Sequence, residues 1–458
     1  MTDLPLRGVT RTAKLATLPI SFAGRTAWAM GKRVGGRPAE MVALELQTRT
    51  AEQLFAVLGE LKGGAMKVGQ GLSIMEAAMP EELVAPYRAT LTKLQDAAPP
   101  MAAERVHAIL ADQLGPRWRT AKFEHFDDKP AAAASIGQVH RAVWRDGREV
   151  AVKIQYPGVA KALMSDLNQL SRVAKLAGGL VPGIDMVPIL TELKERMSEE
   201  LDYALEASHQ KAFARAFRHH PHILIPDVLA QSERVLVTEW VDGRPLSDII
   251  ATGTQQERDH AARLYLEFLM SGPVRARLLH ADPHPGNYRI TPDGRLAVFD
   301  FGAVNRLPDG MPPALGEILS FALWGDSHGM TRRLKEEGFI RESVSIDPDQ
   351  LLGYLMPFFT PLLDEEFTFT RDWLRGVGAR INDPRQPDWV VGMKLNLPPD
   401  YLLIHRVWLG GIGVLCQLGG NVDGRRLAEE LIPGASFPPI EAADSEYREG
   451  LDDEDDFI

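Results

Sequence analysis

Two short stretches decide the expected fold: residues 280–287, which read His-Ala-Asp-Pro-His-Pro-Gly-Asn, and residues 300–302, which read Asp-Phe-Gly. Two prolines and a glycine separate Asp282 from Asn287, so the first stretch is predicted to be a rigid loop. Such a loop can hold an aspartate that accepts or orients the proton of a nucleophile and an asparagine that binds magnesium. We therefore predict a catalytic role for Asp282 and a metal-ligand role for Asn287.

The residues before the second stretch, Leu296 to Phe299, are all apolar and predict a buried strand that ends at Asp300. Gly302 is expected to let the backbone turn sharply after it. Asp300 is then predicted to be the principal metal ligand, bridging the phosphates of ATP through Mg²⁺, because hard oxygen ligands and phosphate suit that ion. An isolated Asp-Phe-Gly is a weak signal, but its combination with Asp282 and Asn287 is specific.

A lysine with matching chemistry lies upstream. Val139–Trp144 and Val150–Ile154 are short β-type runs, and the Asp-Gly pair between them predicts a hairpin. Alternation in the second run places its valines on one face and Lys153 on the other. We predict that Lys153 contacts the α- and β-phosphates of ATP and pairs with a glutamate on a helix.

The helix that would supply this glutamate is predicted at Ile189–Phe217. It contains Glu199, Glu200, Asp202 and Glu206, and like charges three or four residues apart destabilise an isolated helix. One explanation is a solvated acidic face. The other is that lysines and a metal neutralise these carboxylates, with Glu206 pairing to Lys153.

Two further segments have unusual compositions. A candidate phosphate loop between predicted strands contains Ala132, Ala133, Ala134, Ser135, Ile136 and Gly137. It could expose backbone N–H groups and the Ser135 hydroxyl to phosphate, although the four consecutive alanines at 131–134, taken alone, are more typical of a helical turn. Residues 62–71 contain four glycines, which suit either a flexible loop or a helix that approaches other backbone closely, with Lys67 and Gln70 pointing the same way.

The order of predicted elements indicates an α+β domain. Helical periodicity covers much of residues 40–115, including Ala103–Leu114, and the period then changes to short strands. Ile223–Leu229 and Arg234–Trp240 are predicted to form another strand pair, and helices dominate from Glu257 onward. A small antiparallel sheet with an inserted helix, followed by a larger helical half, predicts two lobes with a cleft between them.

Taken together, these residues resemble the UbiB/AarF-type atypical kinase-like family, the coenzyme Q kinase-like group. Its K-x-G-Q motif, alanine-rich loop and E-x-D motif are matched by residues 67–70, 132–140 and 200–202, and its kinase core by Lys153, Glu206 and residues 280–287 and 300–302. The resemblance runs in order from about residue 50 to residue 305.

The resemblance implies a bilobed protein-kinase-like fold in which the helices of the K-x-G-Q motif lie across the active-site cleft. Lys67 and Gln70 would then lie over the site, and Lys67 would reach the phosphates and the acidic cluster of Glu200 and Asp202. That arrangement would exclude a protein substrate, which favours a small lipophilic substrate or a regulated ATPase.

The same resemblance implies an interlobe hinge at Glu239-Trp240-Val241, where the backbone of Glu239 and Val241 would hold adenine. ATP and Mg²⁺ are the implied cofactors, and nucleic acid is not expected as a partner.

Composition agrees with a globular protein. The chain has 458 residues, 45% of them hydrophobic and 25% charged, and Cys416 is its only cysteine, so an intrachain disulfide is excluded. Of the net charge of −11, residues 441–458 contribute −8, which predicts either a solvated acidic tail or a tail that binds a partner. The expected segments are a basic segment at 1–38, a helical extension at 39–120, a sheet-containing lobe at 121–242, a helical lobe at 243–440 and the tail.

Membrane contact is expected to be peripheral. The basic residues of segment 1–38 alternate with apolar ones, which suits an interfacial helix or packing against the body of the protein, and no signal peptide is predicted. The most apolar stretch, Tyr401–Gly420, contains His405 and Arg406 early, so we predict a buried helix there and no membrane span. A cytoplasmic location follows, with contact at the inner face of a membrane through residues 1–38.

Two other functions stay open. An aminoglycoside or choline phosphotransferase has a loop very similar to residues 280–287, but it has no counterpart of Lys67–Gln70 or of the alanine-rich segment. A nucleotide-gated binding protein that assists a biosynthetic or efflux complex would need the same ATP site without phosphorylating anything.

Overall fold

The computed structural model describes residues 100–134, 136–160, 164, 168, 201–382 and 387–440, without the side chains of residues 382, 387 and 388. This part of the chain forms two compact units. The first contains the described residues up to Ala207 and the segment Val228–Trp240, and the second contains Ser208–Asp227 and the residues from Val241 onward. The basic segment, most of the helical extension and the acidic tail lie outside the described residues, so the predictions made for them remain predictions.

The first unit is built on an antiparallel sheet. Its helices are α1 (Ala103–Leu114) and α2 (Trp118–Lys122), and its strands are β1 (Phe123–Phe126), β2 (Ala132–Ala134), β3 (Gly137–Trp144), β4 (Glu149–Gln155), β6 (Val228–Gln231) and β7 (Val235–Glu239). The strands lie in the order β1-β3-β4-β7-β6, and β2 pairs with β3. The helix predicted at Ala103–Leu114 is confirmed by α1 at the same bounds.

The predicted hairpin is confirmed by β3 and β4. Gly147 in its turn has a φ of 84°, a backbone angle that glycine adopts at little cost. Val150 and Val152 are fully buried in the core of the sheet, where they pack with aromatic side chains such as Trp118 and Phe126. Lys153 therefore points to the opposite face, as alternation requires.

The second predicted strand pair is partly wrong. The partner of β7 is β6, whereas β5 (Ile223–Leu224) belongs to the other unit and pairs in parallel with β11 (Leu296–Val298). Pro226 separates β5 from β6, because proline has no backbone N–H to contribute to a continuous strand.

The long acidic helix also differs from the prediction. Within the described residues it begins at Tyr203 and runs to Phe217 as α3. The Asp202 carboxylate accepts hydrogen bonds from the backbone N–H groups of Ala204 and Leu205, at 3.0 and 2.9 Å, which is the geometry of a helix N-cap. Asp202 and Glu206 therefore do not share one helical face. Residues Tyr203–Ala207 of α3 belong to the first unit and the remainder to the second.

The second unit combines small sheets with many helices. Its further elements are β8 (Arg244–Pro245), α4 (Leu246–Thr252), α5 (Gln255–Ala276), β9 (Leu278–His280), β10 (Tyr288–Ile290), β12 (Val304–Arg306), α6 (Pro313–Leu323), α7 (Ser327–Glu336), α8 (Pro348–Phe359), β13 (Phe367–Thr368), α9 (Arg371–Asn382), α10 (Pro387–Gly392), α11 (Pro399–Leu418), β14 (Asn421–Val422) and α12 (Gly424–Leu431). One sheet has the order β5-β11-β10-β8, and β9 pairs with β12. A sheet-containing N-terminal unit and a mainly helical C-terminal unit confirm the predicted α+β, bilobed class.

Helix α5 runs through the core of the second unit. Thr254 begins it with a capping box, in which its side chain accepts from Glu257 N–H and the Glu257 carboxylate accepts from Thr254 N–H. The helix buries Tyr265 and Phe268 against a cluster of aromatic side chains that includes Tyr288 and Phe301. Strand β9 ends at His280 and β10 begins at Tyr288, and both rings pack against this cluster, so both ends of the loop between the two strands are held by the core.

Helix α11 corresponds to the apolar stretch at residues 401–420. Among the described residues it is the one helix long and apolar enough to cross a membrane, and 56% of its most apolar window is buried inside the protein. Its buried residues include Val414, Leu415 and Cys416. This burial confirms the predicted core helix.

Candidate active site

Lys153 and Glu206 form a buried ion pair in the first unit. The Lys153 Nζ atom donates to both carboxylate oxygens of Glu206, at 2.8 and 3.0 Å. The Lys153 side chain is 15% exposed and that of Glu206 is 3% exposed. A charge at such depth needs a partner, since breaking a buried pair by removing one member costs about 3–5 kcal/mol. The pairing expected between these two residues is therefore present.

The ring of Tyr203 makes a second contact with Lys153. Its ring centroid lies 5.1 Å from Lys153 Nζ, within cation–π range, and the residue is fully buried. The ring also packs with Ile136, Ala207 and Leu236 in a small apolar cluster. Lys153 is thus held by one charge and one aromatic face.

The alanine-rich segment is a strand and not an irregular loop. Ala132, Ala133 and Ala134 pair with Val139, Gln138 and Gly137 of β3, so the two strands form a tight hairpin. Pairing with β3 overrides the low strand propensity of alanine. Ser135 lies outside the described residues, and its predicted contact with phosphate remains a prediction.

Ile136 and Gly137 fasten this hairpin to the sheet. Ile136 is buried, and its carbonyl accepts a hydrogen bond from Tyr156 N–H at 2.9 Å. A Cβ atom on Gly137 would lie only 2.2 Å from the carbonyl oxygen of Ile154, and this distance is too short for any side chain. Glycine is therefore required at the position where β3 begins its pairing with β4.

The predicted hinge residues lie at the end of β7 and just after it. Glu239 ends β7, and its carboxylate lies 3.3 Å from the guanidinium of Arg148. The backbone N–H of Trp240 donates to the carbonyl of Glu149 at 2.9 Å, and at Val241 the chain returns to the second unit. Lys67, Gln70 and Glu200 lie outside the described residues, and the adenine-binding role of Glu239 and Val241 remains a prediction.

In the second unit, internal hydrogen bonds hold the loop after β9. Asn287 is 8% exposed, and its side-chain Nδ2 donates to the carbonyl of Asp282 at 3.2 Å. The backbone N–H of Asn287 donates to the carbonyl of His284, and residues Pro285–Asn287 form a 3₁₀ turn. The loop is therefore ordered, as its prolines predict, and it brings Asp282 and Asn287 together.

Asp300 follows β11 with an unusual backbone conformation. Its φ is 57°, in the left-handed region that residues other than glycine seldom adopt. We expected Gly302 to make the sharp turn, but the positive φ lies at Asp300, and Gly302 N–H instead donates to Asp300 Oδ1 at 3.2 Å. The side chain of His280 donates from Nε2 to the carbonyl of Asp300 at 2.9 Å and so connects β9 to this turn.

The donor atoms of Asn287 and Asp300 suit magnesium. Because Nδ2 of Asn287 is bound to a carbonyl oxygen, the side-chain atom left as a metal ligand is Oδ1. Asp300 adds a carboxylate, and hard oxygen ligands of this kind are those that Mg²⁺ prefers. The two residues therefore fit the predicted metal by the chemistry of their donors.

A second cluster has metal-ligand residue types but the wrong hydrogen bonds. His220, His222 and Glu267 place their ligand atoms within 4.8 Å of one another. However, backbone N–H groups of His222 and Ile223 both donate to Nδ1 of His220 at 3.2 Å, and burial, with the positive charge of Arg275, lowers the pKa of His220. The neutral ring then has its proton on Nε2, the nitrogen that faces Glu267, so it offers no lone pair to a metal. We assign this cluster a hydrogen-bonding role.

Sequence patterns did not single out two buried tyrosines beside the loop. Tyr265 of α5 donates to the carbonyl of Pro283 at 3.1 Å, and the Tyr288 hydroxyl lies 3.3 Å from Nδ1 of His280. Both are core residues, and their hydroxyl contacts are with residues 18 and 8 positions away, a pairing that no local sequence pattern indicates. Only the folded unit reveals them.

A lysine–glutamate pair on a small antiparallel sheet, together with an Asp–Asn loop and an Asp-Phe-Gly turn in a helical unit, is the residue set of a protein-kinase-like domain. The model of the ABC1 atypical kinase-like domain matches residues 93–334, more than half of the sequence. The chain belongs to the ABC1 atypical kinase-like family.

Individual relatives agree with this assignment. "Atypical kinase coq-8, mitochondrial" of Caenorhabditis elegans is 34% identical over 303 residues, which cover 64% of this chain and 39% of the relative. "Atypical kinase COQ8B, mitochondrial" of Danio rerio is 29% identical over 345 residues, which cover 74% of this chain and 54% of the relative. The chain thus spans about two fifths to one half of these curated relatives.

Among solved structures, the complex of Rv3197 with erythromycin from Mycobacterium tuberculosis is similar over a larger share. It is 41% identical with a TM-score of 0.68, and the match covers 88% of this chain and all of the solved one. The likeness therefore extends beyond the kinase core to most of the described residues.

Proposed function

We propose that this protein is an ATP- and Mg²⁺-dependent atypical kinase or ATPase that acts on a small lipophilic molecule and not on a protein. The observation that supports it most is the buried Lys153–Glu206 pair, at 2.8 Å between Nζ and Oε1. A lysine on the polar face of a strand, oriented by a helix glutamate, is the arrangement that kinases use to contact the α- and β-phosphates. Membership of the ABC1 family agrees with this use.

Each remaining residue has a distinct role in the proposal. Asn287 and Asp300 hold Mg²⁺, which, when bound, neutralises charge on the ATP phosphates. Asp282 accepts or orients the proton of the attacking hydroxyl or water. The hairpin of Ala132–Gly137 and the backbone of Glu239 and Val241 contact the nucleotide. Gln70, Glu200 and Asp202 belong to the same nucleotide site, and Lys67 reaches the phosphates across it.

The proposed substrate class rests on two supports. The K-x-G-Q segment resembles one that lies across the active site in this family, which would exclude a polypeptide. Several relatives are named COQ8, which associates them with coenzyme Q, a lipid-soluble quinone. We therefore propose an isoprenoid quinone precursor or another lipid as the molecule that this site serves, at a membrane surface contacted through residues 1–38.

ATP hydrolysis by the purified chain tests this function. We expect Mg²⁺-dependent release of phosphate that increases with detergent or lipid vesicles and is lost in Asp300→Asn, because a metal ligand then loses its charge. Nucleotide binding without turnover under every lipid condition would overturn the enzymatic proposal. It would leave a nucleotide-gated binding protein as the function.

A second candidate function has one specific support, the solved erythromycin complex of a 41% identical protein. We propose that a bulky macrolide, or a natural molecule of similar size and polarity, binds this chain. Calorimetric titration of erythromycin with and without Mg·ATP tests binding, and mass spectrometry of the recovered macrolide tests whether a phosphoryl group has been added. Absence of heat at every concentration up to the solubility limit would reject this candidate.

A further inference from the structure

Two tyrosines form the base on which the candidate catalytic loop rests. Tyr265 belongs to α5 and Tyr288 is the first residue of β10, and both are completely buried. Their rings pack edge to face, with centroids 5.0 Å apart and an interplanar angle of 86°. The two hydroxyls contact different parts of the site: that of Tyr265 contacts Pro283, and that of Tyr288 contacts His280.

The Tyr265 hydroxyl contacts the loop next to Asp282. It donates to the carbonyl of Pro283 at 3.1 Å, and Nδ2 of Asn287 donates to the carbonyl of Asp282 at 3.2 Å. Two successive carbonyl groups of the loop are therefore bound by buried side chains. These bonds fix the backbone from which the Asp282 carboxylate extends.

The Tyr288 hydroxyl reaches Asp300 through one intermediate. A carbonyl oxygen can only accept, so Nε2 of His280 has the proton that is donated to the carbonyl of Asp300 at 2.9 Å. Nδ1 of His280 is then the acceptor for the Tyr288 hydroxyl, at 3.3 Å. These two hydrogen bonds fix the tautomer of His280 and hold Asp300 at a φ of 57°. That backbone conformation costs free energy and persists only where the surrounding structure maintains it.

Both hydroxyls remain donors over the whole working range of pH. Burial raises the pKa of Tyr265 well above its ordinary value, and the negative charge of Asp282 raises it further. Burial also raises the pKa of Tyr288, with smaller contributions from Tyr265 and Asp282. Neither phenol loses its proton near neutral pH.

We propose that Tyr265 and Tyr288 are two independent positioning residues: Tyr265 sets the backbone of the Asp282 loop, and Tyr288, through His280, sets Asp300. The inference rests on the proposed ATP- and Mg²⁺-dependent function, because Asp282 and Asp300, which the tyrosines position, have their roles in that reaction. Loss of the Tyr265 hydroxyl should therefore slow the proton transfer step at Asp282, and loss of the Tyr288 hydroxyl should weaken the binding of Mg²⁺ at Asp300.

Kinetics of phenylalanine variants provide the first test. Tyr265→Phe should lower kcat by about three- to tenfold, the factor for one neutral hydrogen bond, and leave the Mg²⁺ concentration for half-maximal turnover unchanged. Tyr288→Phe should raise that Mg²⁺ concentration by about three- to tenfold. The matched control is Tyr401→Phe in α11, which removes a hydroxyl bond of 2.5 Å to Glu337 and should change neither quantity.

Hydrogen exchange of the metal-free protein gives a readout that does not depend on activity. Tyr265→Phe should speed exchange of the Gly286 amide, which donates to Nδ1 of His284 in the Asp282 loop, and Tyr288→Phe should speed exchange of the Gly302 amide, whose acceptor is Asp300. If no variant and no wild-type sample hydrolyses ATP while this division persists, the proposed function fails and the positioning roles stand. If both variants change the same amides, or neither changes any, the inference is overturned.

Discussion

Lys153 and Glu206 are charged side chains in an environment that exposes 15% of one and 3% of the other. Neither charge would be stable there without its partner, because transfer of an isolated ion from water is expensive. The pair is therefore both a structural feature of the first unit and the proposed contact with the nucleotide phosphates. These two aspects can be measured separately.

A double-mutant cycle measures the structural coupling of the pair. We expect Lys153→Met and Glu206→Leu each to lower the free energy of unfolding by about 3 kcal/mol, since each leaves one buried charge alone. The double variant should lose less than the sum, with a coupling of about 1–3 kcal/mol in urea unfolding. The exposed pair Arg234–Asp112 is the control and should couple by less than about 1 kcal/mol. Additive losses at Lys153 and Glu206 would show that the charges do not interact.

At the scale of single elements, the residue that precedes α3 has the most ambiguous role. Asp202 matches the E-x-D motif, yet in the structure its carboxylate caps the helix. Asparagine caps a helix about as well as aspartate but has no charge, whereas alanine cannot cap at all. Substitution can therefore distinguish a capping role from an electrostatic role in nucleotide binding.

For Asp202→Asn we predict unchanged stability together with weaker Mg·ATP binding, because only the charge is lost. Asp202→Ala should also lower the free energy of unfolding by about 0.5–2 kcal/mol. Thermal unfolding and titration with a fluorescent ATP analogue measure the two effects. Unchanged nucleotide affinity in Asp202→Asn would restrict this residue to capping.

Local patterns predicted the elements whose causes are local. The Asp146-Gly147 turn and the alternation around Lys153 indicated the β3–β4 hairpin, and apolar periodicity gave α1 its bounds. The prolines and the glycine of residues 280–287 indicated a loop, which the structure has. In each case a few neighbouring residues determine the backbone, so the sequence contains the information directly.

Features that depend on distant segments could not be predicted in this way. β5 pairs with β11 across more than seventy residues of sequence. The positive φ at Asp300 is maintained by His280 from another strand, so a reading of local propensity assigned the turn to Gly302. Tertiary contacts override propensity at these positions.

At the scale of the whole molecule, one thiol reports on the core of the second unit. Cys416 is 3% exposed on α11, and burial raises its pKa to about 12. At pH 8 the folded protein has very little thiolate, so iodoacetamide should label the native chain at least about a hundredfold more slowly than the urea-unfolded chain. Fast stoichiometric labelling of the native protein would contradict the buried position of α11.

The same shift predicts how stability depends on alkaline pH. The folded state retains the thiol proton to a higher pH than the unfolded state does. The contribution of the Cys416 thiol to the free energy of unfolding is therefore fully present below the ordinary thiol pKa of 9.0. It is lost as the pH rises towards about 12. Urea unfolding of wild type and Cys416→Ala across this range measures the contribution, and parallel curves for the two proteins would show that Cys416 contributes nothing.

We propose that Asp282 acts on the reacting proton while other residues bind Mg·ATP. Parallel measurement of nucleotide affinity and ATP turnover in wild type and Asp282→Asn, with lipid vesicles present, tests it most directly. We predict that the variant binds Mg·ATP with unchanged affinity and turns it over at least about a hundredfold more slowly, as loss of a general base requires. Equal turnover by the two proteins, or failure of the wild type to bind Mg·ATP, would contradict the claim.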